Sequence, residues 1–398
     1  MTQRPNVFIV ATESSGDNYG ALMARQLRDM RPDLELYGLG GGKMESAGVT
    51  LFQNMLEHSA VGLVEVVRSL RFFLDTMDQV VQKAKELRPE VIVLIDSPDF
   101  NLRIAHRLKE LGIPVVYYVS PQLWAWREGR VERIRKYIDR MLVIFPFEVD
   151  FYAKHGIEAR FVGHPLMDLI DHDQVKKRAE ALRHGFKLPG KKKVVGLFPG
   201  SRRSEVTRLM PRMLDAAREI MKRRQDVIFL VGCSPWFNPD RYKAMIKDHE
   251  DLPLRAIHGR SHEVMALADF SLICSGTATV EAAIVGTPFL CTYRMAWASA
   301  ILAGLLVNTE WACMVNILAN KQVVPELLQH QAEPLTMALI ALENMESGAP
   351  DMRGDLAEVV KTLGGKGASR RAAEQVLSVA GLRPVSRPIS SEYPAIVK

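Results

Sequence analysis

A repeated alternation of short apolar runs and amphipathic helical segments is the feature that most constrains the fold of this chain. Val7–Val10, Val91–Ile95 and Val115–Val119 are apolar or aromatic runs, and turns and helical patterns separate them. The same rhythm restarts at Val194–Phe198 and includes Phe270–Cys274. Such runs are typical of strands buried in a parallel sheet, and the helices between them supply right-handed crossovers. The pattern predicts an α/β fold with two Rossmann-like parallel-sheet domains.

The length of the chain also favours two domains, because 398 residues exceed what one hydrophobic core usually organises. A break follows Phe161–Pro165, and a charged helical segment after it resembles a connector. We expect the domains to face each other across a cleft, and we expect helices without strands from Val323 to Leu382. The predicted divisions are an N-terminal domain over residues 1–165, a second domain over 166–350, C-terminal helices over 351–382 and a loose tail over 383–398.

Composition argues against several classes of protein. The four cysteines have neither metal-ligand nor CxxC spacing, which favours a reducing compartment over a disulfide framework. The N-terminus has no signal-peptide pattern, and no uncharged apolar run approaches the roughly 18–20 residues that span a bilayer. A net charge of +6 does not by itself indicate nucleic acid as a partner. We therefore expect a cytoplasmic protein without a metal site, unless the chain binds a membrane surface.

The segment Phe270–Pro288 predicts an anion site. An apolar run ends at Ser275-Gly276-Thr277, and a helical pattern then continues to Gly286. The first N–H groups of a helix have no partner inside it, and the helix dipole favours an anion there. Thr279 adds a second hydroxyl to that first turn, and the Glu281 carboxylate suits the vicinal hydroxyls of a sugar. A phosphate joined to a polyol is the predicted ligand, and an ordinary turn with a Ser/Thr cap is the alternative.

A second loop of this kind follows the first strand of the second domain. Gly200 permits a close approach of the backbone, and Ser201 continues the turn. Arg202 offers a guanidinium group that can bind a phosphate through two N–H groups. A solvated loop arginine is the alternative. Two phosphate-type turns in one domain favour the phosphate site.

Carboxylates after the predicted strands of the first domain suggest acid–base chemistry. Asp96 directly follows Val91–Ile95, and functional groups of a parallel sheet gather at the carboxyl ends of its strands. A partly buried carboxylate at that edge can remove a proton from a hydroxyl group. We assign this role to Asp96 and expect Asp99 or Asn101 to cap the following helix. Glu13, in a neighbouring loop, either orients an acceptor hydroxyl or caps its own helix.

Two basic surfaces suggest contact with a membrane. Phe72 lies among Arg68 and Arg71, on the face of a helical segment opposite its apolar stripe, and this arrangement suits the headgroup boundary. A surface phenylalanine covered by a neighbouring loop is the alternative. The basic run from Arg127 to Arg140 could hold an acidic substrate or anionic lipid, although such runs are more often solvated helix faces.

Seven short motifs follow one another along the chain: TESSGD from Thr12, DSPDFN from Asp96, YVSPQLWAW from Tyr118, PFE from Pro146, FVGHPL from Phe161, PGSR from Pro199 and SGTATVE from Ser275. In this order they resemble the lipid-A-disaccharide synthase family, over about Asn6 to about Gln329. Thr12 is a departure, because the family usually has glycine before the glutamate.

The resemblance implies a metal-independent glycosyltransferase of the GT-B fold, in lipid A (lipopolysaccharide) biosynthesis, that needs no cofactor. The implied donor is UDP-2,3-diacylglucosamine, and the implied acceptor is 2,3-diacylglucosamine 1-phosphate, also called lipid X. Inverting transfer would give a β-1,6-linked disaccharide 1-phosphate and UDP. The family also implies a peripheral location on the cytoplasmic face of the inner membrane, no nucleic-acid partner and a homodimer.

Site residues follow from the resemblance motif by motif. Asp96 corresponds to the catalytic base that deprotonates the 6-hydroxyl of the acceptor, and Glu13 is the second candidate catalytic residue. The implied UDP-binding residues are Gly200, Ser201, Arg202, Ser275, Gly276, Thr277, Thr279, Glu281, Asn316 and Gln329. The resemblance also favours membrane contact through Phe72, Arg68 and Arg71.

Two other functions stay open from the sequence. A UDP-N-acetylglucosamine 2-epimerase, or another GT-B glycosyltransferase, would have a similar UDP-binding half. The Asp96 motif and Trp124-Ala125-Trp126 argue against that reading. A peripheral membrane protein with a degenerate nucleotide site is the non-enzymatic alternative.

Overall fold

The computed structural model describes residues 4–55, 65–126, 128–188, 192–233, 238–295 and 309–385, without the side chains of residues 65–70 and 239. The chain divides into two compact units. The first unit comprises Met1–Asp168 and Gly365–Lys398, and the second comprises Leu169–Gly364. The C-terminal segment therefore returns to the first unit, which the sequence pattern did not predict.

The first unit is built on a parallel sheet. Its strands are β1 (Asn6–Ala11), β2 (Glu35–Gly40), β3 (Thr50–Asn54), β4 (Val91–Ile95), β5 (Val115–Tyr118), β6 (Arg140–Val143) and β7 (Ala159–Phe161). Within the described residues the seven strands lie in the order β3-β2-β1-β4-β5-β6-β7. The order reverses direction between β1 and β4, where Ala11 pairs with Ile95. This switch point is where α/β sheets usually bind ligands, beyond the carboxyl ends of the strands.

Helices connect these strands. They are α1 (Ser14–Met30), α2 (Gly42–Ser46), α3 (Glu65–Leu87), α4 (Pro98–Lys109), α5 (Val131–Tyr137), α6 (Phe147–Lys154) and α7 (Leu166–Leu169). The core beneath them includes Phe8, Leu94, Phe100 and Tyr117, all almost completely buried. Every side chain of β4 is buried, as expected for a central apolar strand of a parallel sheet.

The second unit repeats this plan. Its strands are β8 (Lys193–Phe198), β9 (Val227–Cys233), β10 (Leu254–His258), β11 (Phe270–Cys274), β12 (Phe289–Tyr293) and β13 (Glu326–Leu328). Over the described ranges these six strands are parallel and lie in the order β10-β9-β8-β11-β12-β13. The direction of the order reverses between β8 and β11, where Phe198 pairs with Ile273. The predicted α/β class with two Rossmann-like parallel sheets is confirmed.

The remaining helices follow in chain order: α8 (His172–Gly185), α9 (Arg203–Arg223), α10 (Pro239–Lys247), α11 (Ser261–Leu267), α12 (Thr277–Val285), α13 (Met314–Ala319), α14 (Pro334–Ser347), α15 (Pro350–Thr362) and α16 (Ala368–Val379). The last helix, α16, belongs to the first unit and packs on α1. The Asp168 carboxylate holds its start by accepting from the N–H groups of Gly367 and Ser369. Among the helices described here, none has the length and apolarity that crossing a membrane requires.

Every strand that the apolar runs predict is present, but one expectation is wrong. Residues from Val323 to Leu382 were expected to contain helices only, whereas β13 lies at Glu326–Leu328 and pairs with β12. Two further strands, β3 and β7, were not predicted. All three lie at an edge of their sheet, where fewer side chains are buried and the apolar signal is weak.

Candidate functional site

Asp96 lies at the switch point of the first unit. It directly follows β4, and the loop with Glu13 follows the neighbouring strand β1. The structure therefore brings these two predicted catalytic residues to adjacent positions along one sheet edge. Asp96 and Ser97 both adopt left-handed backbone conformations, with φ of 50° and 44°. Such conformations cost roughly 1–3 kcal/mol each outside glycine and cluster at functional sites.

Hydrogen bonds hold the strained backbone of Asp96. Its N–H donates to the carbonyl of Tyr118 at 3.0 Å, which continues the sheet. Its carbonyl accepts from the Tyr117 hydroxyl and, at 2.7 Å, from Asn101 Nδ2. Burial, and secondarily the charge of Asp96, raises the pKa of Tyr117 well above its ordinary value, so this hydroxyl stays a donor. The main chain is thus fixed in the conformation that places the carboxylate beyond the strand.

The expected helix caps are wrong in detail. Helix α4 begins at Pro98, so Asp99 and Asn101 lie inside its first turn and neither is its N-cap. Asp99 instead accepts from Arg130 at 2.7 Å, and Asn101 donates to the carbonyls of Ile95 and Asp96. Glu13 occupies the N-cap position of α1, and its side chain makes no capping hydrogen bond. Asn101 is therefore a support for Asp96 that the sequence reasoning interpreted only as a cap.

Glu148 joins two of the sequence motifs and was missed as a site residue. It is almost completely buried, and its carboxylate accepts from the N–H groups of Ile144 and Phe145 and from Trp124 Nε1. The Trp124 ring also packs edge-on against Phe147, with ring centroids 5.0 Å apart. Burial raises the pKa of Glu148 to about 7. A single buried carboxylate thus holds the SPQLWAW loop against the start of α6.

Glu148→Gln is expected to flatten the pH dependence of stability between about pH 5 and pH 7. The folded protein holds the Glu148 proton up to about pH 7, whereas the unfolded carboxyl has a pKa near 4.5. The protonated group's contribution to the free energy of unfolding is therefore complete below pH 4.5 and is lost as the pH rises through about 7, by on the order of 3 kcal/mol. Urea denaturation at pH 5 and pH 8, followed by tryptophan fluorescence, measures the difference.

The matched control for this experiment is Glu132→Gln. Glu132 is an exposed carboxylate of the same unit, paired with Arg135 on α5. This variant should keep the pH dependence of the wild-type protein. Equal loss of stability between pH 5 and pH 8 in the wild type and in Glu148→Gln would contradict the assignment.

A second missed carboxylate shapes the glycine-rich turn after β2. Asp17 is almost completely buried and accepts from the N–H groups of Gly41, Lys43 and Met44 at 2.8, 3.2 and 3.0 Å. It therefore caps α2 from the neighbouring helix α1. These N–H groups of the turn are therefore already bound by a carboxylate of the chain itself.

The predicted anion turn of the second unit follows β11, at the switch point of its sheet. Gly276 is the N-cap of α12, with φ of 147°, and α12 ends at Val285 before Gly286, as predicted. The Ser275 hydroxyl donates to the carbonyl of Ala312 at 2.8 Å. The Thr279 N–H already donates to the Gly276 carbonyl at 3.1 Å. The two N–H groups before it begin α12 at the carboxyl edge, where a helix supplies no carbonyl partner, and this suits an anion.

The remaining polar side chains of this turn differ in their surroundings. Thr277 is exposed, whereas Thr279 is completely buried and donates to the carbonyl of Gly276 at 2.7 Å. Thr279 therefore shapes the turn, and its predicted contact with a ligand stays a prediction. Glu281 lies one turn further along α12, with Oε2 3.2 Å from Nε2 of His262 on α11.

The Arg202 loop follows β8, the strand next to β11. Glu205 Oε2 accepts from the N–H groups of Ser201 and Arg202, both at 3.1 Å. Gly200 has φ of 112°, and a Cβ there would lie 2.5 Å from Glu205 Oε2, so the position requires glycine. The Arg202 side chain is 70% exposed. The loop therefore offers an anion the guanidinium of Arg202, while its backbone N–H groups are already bound by Glu205.

Asn316 uses all of its hydrogen-bonding groups inside the protein. It is completely buried, its Oδ1 accepts from Val323 and Val324, and its Nδ2 donates to the Val324 carbonyl and to Glu326 Oε1. An Asn side chain has no further donor. Asn316 is therefore placed to shape the site, and its predicted direct contact with UDP stays a prediction.

Glu326 was missed by the sequence reasoning and lies between Asn316 and the anion turn. Its carboxylate accepts from the N–H groups of Ala312 and Cys313 at 2.8 and 3.0 Å. The Ala312 carbonyl in turn accepts from Ser275. Gln329 follows β13 in a left-handed conformation, with φ of 52°. The loops after β8, β11 and β13 thus bring Arg202, Ser275 and Gln329 to the carboxyl edge of one sheet, whereas Asn316 lies on α13, before β13.

The structure describes only part of the α3 surface that is predicted to contact a membrane. Met77 and Val80 of its apolar stripe are buried, as expected. Phe72 is half-buried, and Arg71 is exposed with Asp75 3.9 Å away. The side chain of Arg68 lies outside the described residues.

The basic run is partly neutralised. Arg130 pairs with Asp99, and Arg135 pairs with Glu132. Arg127 lies outside the described residues. In the part of the chain that the structure describes, no group of three or more His, Cys, Asp or Glu side chains is placed to hold a metal ion.

Comparison with known proteins gives one consistent family. The family model described as lipid-A-disaccharide synthetase matches residues 7–379. The lipid-A-disaccharide synthase of Anaeromyxobacter sp. (strain K) is 39% identical over 376 residues, which cover 94% of this chain and 97% of the relative. That of Pseudomonas aeruginosa (strain UCBPP-PA14) is 38% identical over 373 residues, with 94% and 97% covered.

A similar fold occurs among solved structures. UDP-GlcNAc 2-epimerase from Neisseria meningitidis, bound to UDP-GlcNAc, matches with a TM-score of 0.66 over 94% of this chain and 100% of that chain. The two sequences are 12% identical, so this likeness shows the fold alone.

Proposed function

This chain belongs to the lipid-A-disaccharide synthetase family and is a glycosyltransferase, and we propose that it joins UDP-2,3-diacylglucosamine to lipid X. The observation that supports this most strongly is the position of the two predicted sites. Asp96 lies at the switch point of one sheet, and Arg202 and Ser275 flank the switch point of the other. A base and an anion site at these edges are the two elements that sugar transfer from a nucleotide requires.

The proposed reaction is an inverting displacement. Asp96 accepts the proton of the acceptor's 6-hydroxyl as that oxygen attacks the anomeric carbon of the donor, and Glu13 orients the acceptor. The bond between the anomeric carbon and the phosphate oxygen breaks, and UDP leaves with its electron pair. The products are a β-1,6-linked disaccharide 1-phosphate and UDP.

Negative charge grows on UDP as it leaves. The Arg202 guanidinium and the N–H groups at the start of α12 are proposed to stabilise that charge without a metal ion. Glu281 is proposed to bind the ribose hydroxyls, and Gln329 to complete the nucleotide site. Asn316 is proposed to act indirectly, by donating to the Glu326 carboxylate, which in turn binds the N–H groups of Ala312 and Cys313.

Product mass after incubation with the two acylated sugars tests the proposal. A disaccharide 1-phosphate together with free UDP is the expected result. An epimerase would return an isomer of the donor with unchanged mass, and a membrane-binding protein without activity would return both sugars unchanged.

Transferase activity should also survive EDTA, since the proposed scheme uses no metal ion. A loss of activity that magnesium restores would contradict the metal-independent scheme.

The acylated substrates suggest action at a membrane surface, and we propose a peripheral location on the cytoplasmic face of the inner membrane. The exposed edge of α3 supports this, because Leu74 is 46% exposed, about one turn beyond the exposed Arg71 on the same side of the helix. An apolar side chain among basic groups suits the headgroup boundary. A homodimer is part of the same proposal.

Phe72→Ser is expected to weaken binding to anionic lipid vesicles roughly tenfold, because the ring no longer enters the interface. Co-sedimentation with vesicles measures this. Phe186→Ser is the matched control, since Phe186 is an exposed phenylalanine of the second unit and should leave vesicle binding unchanged. An unchanged partition of Phe72→Ser would remove this face of α3 from the proposal.

A further inference from the structure

His262 has no role in the scheme above, although it pairs with Glu281, the proposed ribose ligand. His262 is the second residue of α11, and Glu281 lies in the second turn of α12. His262 Nε2 and Glu281 Oε2 are 3.2 Å apart, and the two side chains are 24% and 22% exposed. The contact is thus sheltered but open enough for a ligand to reach the carboxylate.

We infer that His262 is a positioning residue that presets the Glu281 carboxylate for the vicinal hydroxyls of a ribose. The inference rests on the proposed function, because it requires Glu281 to bind the nucleotide. A carboxylate oxygen only accepts hydrogen bonds, so His262 must present Nε2–H to it. One bond to Oε2 leaves Oε1 and the second lone pair of Oε2 for two hydroxyl donors.

Presetting matters because a glutamate side chain has three rotatable torsions. Holding them before the ligand arrives lowers the conformational entropy that binding would otherwise remove. The positions of the two residues agree with this role. Glu281 is one turn beyond Thr277, so it lies on the same side of α12 as the start of the anion turn. A phosphate at the turn would therefore leave a ribose within reach of this carboxylate.

The simpler alternative is that the pair only joins α11 to α12. A purely structural contact of this kind would change the stability of the protein and would change the affinity for every nucleotide equally. A positioning role would act on ribose hydroxyls alone. The two explanations therefore differ in how well the protein discriminates UDP from 2′-deoxy-UDP.

Isothermal titration calorimetry with UDP and 2′-deoxy-UDP provides the test. The wild-type protein should prefer UDP by roughly tenfold or more, since a hydrogen bond to a charged group is lost in the deoxy compound. His262→Ala should reduce this preference at least several-fold. His262→Gln should restore most of it, because its amide N–H can donate to the same oxygen. His184→Ala, an exposed histidine on α8, is the matched control and should change nothing.

Each other outcome overturns the inference in a distinct way. If His262→Ala keeps the wild-type preference, or loses affinity for both nucleotides equally, the pair is only a structural contact between the helices. If the wild type does not distinguish the two nucleotides, Glu281 is not the ribose ligand although UDP still binds. If the wild type does not bind UDP at all, the proposed function itself fails. In Glu281→Ala, a further His262→Ala change should have no added effect on the preference.

Discussion

Asp96→Asn is expected to lower the rate of sugar transfer by roughly a hundredfold to ten-thousandfold and to leave the affinity for UDP unchanged. The amide cannot accept the proton of the attacking hydroxyl, so the acceptor remains a poor nucleophile. Asparagine is a better replacement than alanine here, because Asp96 has φ of 50° and asparagine tolerates this left-handed conformation. The bonds from Tyr117 and Asn101 go to the Asp96 main chain and should survive.

The matched control is Asp99→Asn. Asp99 lies three residues further along, exposed at the start of α4, and pairs with Arg130. Loss of this pair should change the rate and the stability little. Transfer rates at saturating substrate, UDP affinity by calorimetry and thermal denaturation should be measured for both variants. Transfer by Asp96→Asn at close to the wild-type rate would remove Asp96 as the base and would leave Glu13 as the candidate.

The main features of the fold were accessible from sequence because central strands of a parallel sheet are continuous apolar runs. Val91–Ile95 is such a run and was predicted with its observed bounds. The strand at Glu326–Leu328 contains a polar residue and pairs on one side only, so its short pattern did not stand out. Edge strands depend more on their neighbours than on their own composition.

The candidate site was predictable where its residues follow strands directly. Asp96 and Ser275 do so, and the rule for parallel sheets places both at a carboxyl edge. The supporting carboxylates were not predictable in this way. Glu148 reaches Trp124 and Asp17 reaches Gly41, each across 24 positions of sequence, and such pairs depend on how the chain folds back.

Glu205 is an exception among these supporting groups. It lies within the first turn of α9, and its carboxylate accepts from the N–H groups of Ser201 and Arg202, which directly precede the helix. A glutamate three residues after an N-cap is a local signal of helix capping, so its role could have been found from sequence. This signal indicates that Glu205 binds the N–H groups of the loop, and it leaves the Arg202 guanidinium as the group that can bind an anion.

Asn316→Ala is expected to lower the free energy of unfolding of the second unit by about 3 kcal/mol or more and to weaken UDP binding as a consequence. The substitution leaves the N–H groups of Val323 and Val324 without their buried acceptor and Glu326 without one of its donors. Each buried polar group left unpaired costs about 1–3 kcal/mol. Urea denaturation should show a lower midpoint, and calorimetry should show a lower affinity for UDP.

Asn344→Ala is the control for the loss of an asparagine side chain in the same unit, at a half-buried position. Asn344 lies on α14 of the same unit, and its side chain donates to the carbonyl of Ile340 at 2.8 Å. Its removal should cost far less stability and should not change UDP binding. If Asn316→Ala keeps wild-type stability but loses UDP, then Asn316 contacts the nucleotide directly. Because all four of its hydrogen bonds are already made inside the protein, we expect stability and affinity to fall together.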